Sequence, residues 1–132
     1  MCIGLALAMV GGDLNAQSLR EARTRDAQEE ALSKEAAFTR SVCGSNLTAS
    51  IDWSSALIWP QEQSLVAACD GALSAIEAIC RRGDKDKANT ITRFVCAADG
   101  TGPSLSSGTL RYGARVGENS FESTRRFLDG AL

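Results

Sequence analysis

Histidine is absent from this 132-residue chain. Its absence removes Ser-His-Asp and Cys-His nucleophile systems and every histidine-ligated metal site. Basic clusters are also missing, since nothing exceeds the arginine pairs at 81–82 and 125–126. With a net charge of −2 and a pI near 5.1, the chain lacks the positive footprint of a nucleic-acid binder. It lacks the polybasic patch of a membrane-surface protein for the same reason. No G-x-x-x-x-G-K-[ST] sequence is present to cradle phosphates, and no C-x-x-C for thiol redox chemistry. Internal repeats and low-complexity linkers are lacking too. The 132 residues, 44% of them hydrophobic, read as one globular domain's worth of chain.

What is present begins with an apolar stretch. Residues 2–12, "CIGLALAMVGG", are apolar or glycine throughout, too short for the roughly 20 residues of a membrane-spanning helix. Ala16 follows a polar Asp13-Leu14-Asn15 and offers a small-residue cleavage position before Gln17. Residues 1–16 therefore read as a secretory signal peptide; with no Lys or Arg ahead of the apolar run, either the signal is atypical or the true start lies upstream of Met1. Its removal deletes Cys2 and leaves Cys43, Cys69, Cys80 and Cys96. Four spaced cysteines in a small exported domain predict two disulfides. Their spacings of 26, 11 and 16 contain no short knuckle to grip zinc, and no cofactor is expected.

Residues 17–42 read as a helical arm: no Gly or Pro from 18 to 40, with Glu21–Arg25 and Glu30–Lys34 as favourable i,i+4 pairs. Its apolar positions, Leu19, Ala22, Leu32 and Phe38, make only a thin stripe, which predicts a solvated helix resting lightly on the domain. The domain spans 43–132. The segment 43–63 predicts a short extended piece and a loop around Trp59-Pro60. In 64–82, Leu65, Cys69, Leu73, Ile76 and Cys80 form one continuous apolar helix face, capped by Ser64 and ended by Gly83. Gly71, inside that helix, suggests close approach of another element. "ITRFVCA" (91–97) and "TLRYGARV" (109–116) carry strand signals and predict an antiparallel hairpin. "NSFESTRRFLDGAL" predicts a C-terminal helix with an Asn119-x-x-Glu122 cap. The expected fold class is α+β: a central amphipathic helix and a C-terminal helix packed on an antiparallel hairpin.

Between the two strand-like runs lies "DGTGPSLSSG" (99–108). Calcium loops need several spaced carboxylates, and only Asp99 is there. The loop reads as a structural connection, with Asp99, Gly100, Gly102 and Ser104 as its candidate recognition residues. Asp52 beside Trp53, with Glu62 nearby, is the best carboxylate pair for a hydrolase. A chain this short leaves little room for a substrate cleft, and no catalytic residue is assigned.

Helix geometry bears on the disulfides. Cys69 and Cys80 lie eleven residues apart on one helix face, about 16 Å along its axis. A bridge needs Cα atoms within about 7 Å, so these two cannot pair. Chain order then favours Cys80–Cys96 with Cys43–Cys69 over the remaining alternative.

The succession "CG…IDW…AACDGALSAIEAIC…FVCAADG…GTLRYG", over residues 43–130, resembles that of small exported bacterial proteins with four cysteines. The resemblance implies a bacterial, exported, disulfide-bonded domain and carries no activity. The expected function is thus a non-enzymatic periplasmic or secreted binding or accessory protein. Its expected partner is another envelope or secreted protein, not nucleic acid, and no stable membrane insertion follows signal removal. The alternatives are a small inhibitor or immunity-type protein and, behind it, a carboxylate-only hydrolase.

Overall fold

The structure, a computed structural model, describes the backbone of residues 2–132 and the side chains of residues 18–132. The side chains of the apolar segment read as a signal peptide, Cys2 among them, lie outside the described residues. In chain order the elements are α1 (Cys2–Cys43), β1 (Thr48–Ile51), a 3₁₀ turn (Trp53–Ala56), α2 (Leu65–Arg81), α3 (Lys85–Ala88), β2 (Arg93–Ala97), β3 (Gly102–Ser106), β4 (Thr109–Gly113) and α4 (Ser120–Ala131). Helices plus a four-stranded sheet make this an α+β domain, and two disulfides brace it.

Helix α2 is the centre of the core because its apolar face is nearly unbroken. Cys69, Ala72, Leu73 and Ala75 are fully buried, with Ile76, Ile79 and Cys80 almost so. Ser64 caps it as expected, accepting from the Ala67 N–H. Gly83, at φ +99°, provides the left-handed residue that stops it. Helix α1 packs on one side of α2 and α4 on the other. Gly71 is where α4 comes closest: a Cβ there would overlap Ser120 Oγ and stand 2.6 Å from the Phe121 backbone nitrogen. Asn119 caps α4 by accepting from Glu122 N–H.

The solvated arm is the upper part of α1, exposed from Ser18 to Ala27. Below it the buried stripe differs from the expected one. Leu19 and Phe38 are exposed, and the contact with α2 is made by Leu32, Ala36, Thr39 and Cys43. These recur at spacings of four, three and four, so a helix can dock through small and polar side chains that a search for large apolar residues passes over. Gln28 Oε1 accepts from the Val66 N–H at 2.8 Å, so α1 also satisfies the start of α2.

The sheet order is β1-β2-β4-β3. Strands β1 and β2 pair in parallel, and so do β2 and β4. An antiparallel hairpin is present, but its arms are β3 and β4 rather than the two runs expected to form it. Segment 102–106, expected as part of a loop, is the missing strand. Residues 98–101 carry the chain across the width of β4, about 10 Å for two strand spacings. Ser107 and Gly108, both at positive φ, then form a two-residue turn, and β4 slots between β2 and β3. Strand β3 is poor in strand-forming residues and exists because β4 needs a partner on that side. Counted from the tight turn, Pro103 falls at a non-bonded position of the ladder. Its missing N–H costs nothing on this edge.

All helices lie on one face of the sheet. Phe94, Cys96, Leu110 and Tyr112 point into the core, whereas Thr48, Ser50, Arg93, Ser104 and Ser106 stand exposed on the other face.

The disulfides are Cys43–Cys80 and Cys69–Cys96. Cys69 and Cys80 do not pair with each other, as helix geometry requires, but the favoured connectivity is overturned. Two directions explain it. Helices α1 and α2 run parallel, with Gln28 at the start of α2 and Thr39 beside Glu77, so Cys43 ends level with Cys80. Strand β2 returns along α2. The five steps from Ile91 to Cys96 span about 16 Å, the same distance as the eleven helical steps from Cys69 to Cys80, which brings Cys96 level with Cys69.

Candidate recognition site at the carboxyl ends of the parallel strands

Three parallel strands finish at one end of the sheet: β1 at Ile51, β2 at Ala97 and β4 at Gly113. That end of a parallel arrangement is where connecting loops can surround a ligand. Here two carboxylates from distant parts of the chain meet one arginine. Arg111, on the open face of β4, donates to both oxygens of Asp99, at 2.6 Å and 3.3 Å, and to Thr101 Oγ1 at 3.0 Å. It also reaches Asp52 Oδ2 at 3.4 Å. Gly113 makes room for this loop, because a Cβ there would overlap Asp99 Oδ1 and Thr101 Oγ1.

The electrostatics follow from the contacts. The Arg111 guanidinium and the Thr101 hydroxyl hold Asp99 well below the usual carboxylate range. The Ser54 hydroxyl, then Arg111, lowers Asp52. Both groups are acceptors only, and neither has the raised pKa that a general acid needs. The structure therefore joins Asp52 to Asp99, not to Glu62, which sits in the exposed turn before α2. Glu77 is the one carboxylate nearly excluded from solvent among the described residues. Desolvation raises its pKa, against the 2.7 Å bond from Thr39. It lies between α1 and α2 and belongs to their packing.

Beside the Asp99–Arg111 pair runs a groove of about 300 Å³. Ile58, Trp59 and Pro60 line it together with Ala98, Asp99 and Gly100 from the end of β2 and Ala114, Arg115 and Val116 from the end of β4. The first three belong to a loop that is tied down along its length. Ser55 Oγ donates to Asp52 O and accepts from the Ala98 N–H, Trp59 N–H bonds Ala56 O, and Trp59 Nε1 bonds Gln63 O. At its tip Leu57 is 84% and Ile58 91% exposed, and Val116, in the same groove lining, is half-exposed. Trp53, at the base, lies against α1: its Nε1 donates to Glu29 at 3.0 Å and Arg25 sits 5.2 Å over its ring.

The four residues proposed for recognition are divided by the fold. Asp99 and Gly100 line the groove. Gly102 opens β3 with a positive φ, and Ser104 stands on the open sheet face opposite Arg111. The tip residues Leu57 and Ile58 were missed, though four consecutive large apolar residues or proline, "LIWP", next to turn-forming residues were the available signal. A second hollow, of about 270 Å³, lies at the opposite end, near Asn46 and Asn89, and no titratable side chain lines it. Among the described residues no group of three or more Asp, Glu or Cys side chains is gathered as metal ligands. No helix among them is long and apolar enough to cross a membrane. No family model, curated protein or solved structure matches the chain.

Proposed function

We propose that this protein is an exported, non-enzymatic binding module that engages another envelope or secreted protein through its 57–60 loop. One observation carries the reading: Leu57 and Ile58 stand side by side in water on a loop held by its own hydrogen bonds. Adjacent large apolar side chains in that state favour removal from water by a partner. The fixed loop lowers the ordering cost of doing so. Two disulfides fit an oxidising compartment, which supports a periplasmic or secreted location, and the four-cysteine resemblance favours a bacterial one.

The high exposure of Leu57 and Ile58 favours one narrower version, in which the loop fills a concave site on an enzyme as an inhibitor does. Photo-crosslinking in the native host tests both. A crosslinker at position 58 should capture one protein from the extracytoplasmic fraction, and one at exposed Lys85 should not. Capture of a single enzyme whose activity falls would select the inhibitor version. Equal capture from both positions would end the binding reading.

A further inference from the structure

We infer that the groove at the carboxyl ends of β2 and β4 accepts an extended segment of the partner, in which a carboxylate sits next to a large apolar side chain. The inference rests on the binding reading above and adds the chemistry of the ligand. Its basis is the state of the charges around the groove. Arg111 and Asp99 are bound to each other, and Asp52 completes their cluster. Arg115 is different. One nitrogen, Nη2, donates to the Gly100 carbonyl at 3.1 Å, and among the described residues no carboxylate lies within ion-pair distance of it.

The Gly100 bond ties the guanidinium to the groove lining while leaving its other N–H groups without a protein acceptor among the described residues. Arginine suits this role because its planar fork can spare one donor for the protein and still offer a pair to a carboxylate. Ile58, Trp59 and Pro60 line the same groove and supply its apolar part. A tethered cation and an apolar segment in the lining of one groove match a ligand with both characters. A basic segment would bring a like charge against Arg115 and find Asp99 already engaged. The lining residues Ala98, Gly100 and Ala114 are small enough for a peptide backbone to lie close.

Selection from a displayed library of random linear peptides on the full chain tests the inference. The wild type should enrich sequences pairing Asp or Glu with Leu, Ile, Phe or Trp. Against the best of these as a synthetic peptide, Arg115→Glu should weaken binding by about tenfold or more. Repeated selection on that variant should favour Lys or Arg in place of the acid. Ile58→Ser should weaken the same peptide, and thermal melts matching wild type would show that both variants are folded. If Ile58→Ser weakens binding and Arg115→Glu does not, the ligand chemistry is wrong and the binding loop stands. Enrichment that neither variant affects would overturn both. Failure to enrich any sequence would overturn the inference alone, since the crosslinking experiment reads the loop independently.

Discussion

Two glycines inside helices illustrate how a single hydrogen atom can carry opposite meanings. Gly71 in α2 faces Ser120 and the Phe121 backbone, and a methyl group there must push α4 away. Gly130 in α4 faces open space. Gly71→Ala should therefore lower stability by about 1–3 kcal/mol despite the better helix propensity of alanine. Gly130→Ala should raise it by up to about 1 kcal/mol, and urea denaturation of the two variants checks both signs. Asp99 supplies a test in acid. Its pKa is lowered on folding, so its contribution is present above the unfolded value near 3.8 and disappears as pH falls through and below it. Asp99→Asn should be less stable than wild type at pH 7, and the difference should vanish in strong acid. Thermal melts from pH 7 to about pH 2 would show the two curves converging.

At the scale of elements, α1 and α2 meet through a buried carboxylate. Glu77 has a raised pKa, the reverse of Asp99, so protonation favours the folded state. The contribution is fully present below the unfolded value near 4.5 and is lost as pH rises through the folded one. At neutral pH the ionised group opposes docking of α1. Glu77→Gln keeps an acceptor for the Thr39 hydroxyl and removes the charge. It should stabilise the protein at pH 7 by up to about 1 kcal/mol and do nothing at about pH 3. Equal gains at both pH values in urea titrations would show that ionisation is not the cause. The sheet behaves differently from the helices. Strands β2 and β4 were recognisable from alternating or β-branched residues, yet whether they pair in parallel depended on β3. That segment, "GPSLS", has almost no strand propensity, and the Ser-Gly dipeptide ahead of the alternating β4 run was the only local sign of its hairpin.

For the whole molecule, the two disulfides tie different layers. Cys43–Cys80 fastens α1 to α2, and Cys69–Cys96 fastens α2 to the sheet. They close segments of 37 and 27 residues, each worth about 3–4 kcal/mol in the loop-entropy account. Non-reducing peptide mapping should yield these two linked pairs and no Cys69–Cys80 peptide. Replacing both members of either pair by alanine should lower stability by that order. Only loss of Cys43–Cys80 should raise amide exchange selectively in the lower part of α1, because the second bridge leaves α1 untouched.

Local order was legible in the residues themselves. The face of α2, the caps at Ser64 and Asn119, the stop at Gly83 and the impossibility of a Cys69–Cys80 bridge all depend on groups within a few turns of one another. Helical hydrogen bonds join residues four apart, so their pattern is written in neighbouring letters. The end of the sheet where the parallel strands finish was not legible in that way. Asp52 and Asp99 looked like unrelated acids until β1, β2 and β4 lay side by side and Arg111 drew them together. The exposure of Leu57 and Ile58, and the single tie of Arg115 to the Gly100 carbonyl, likewise depend on which distant groups stand nearby. Strands of four or five residues carry little information about their neighbours, and pairing energy between segments far apart in the chain chooses them.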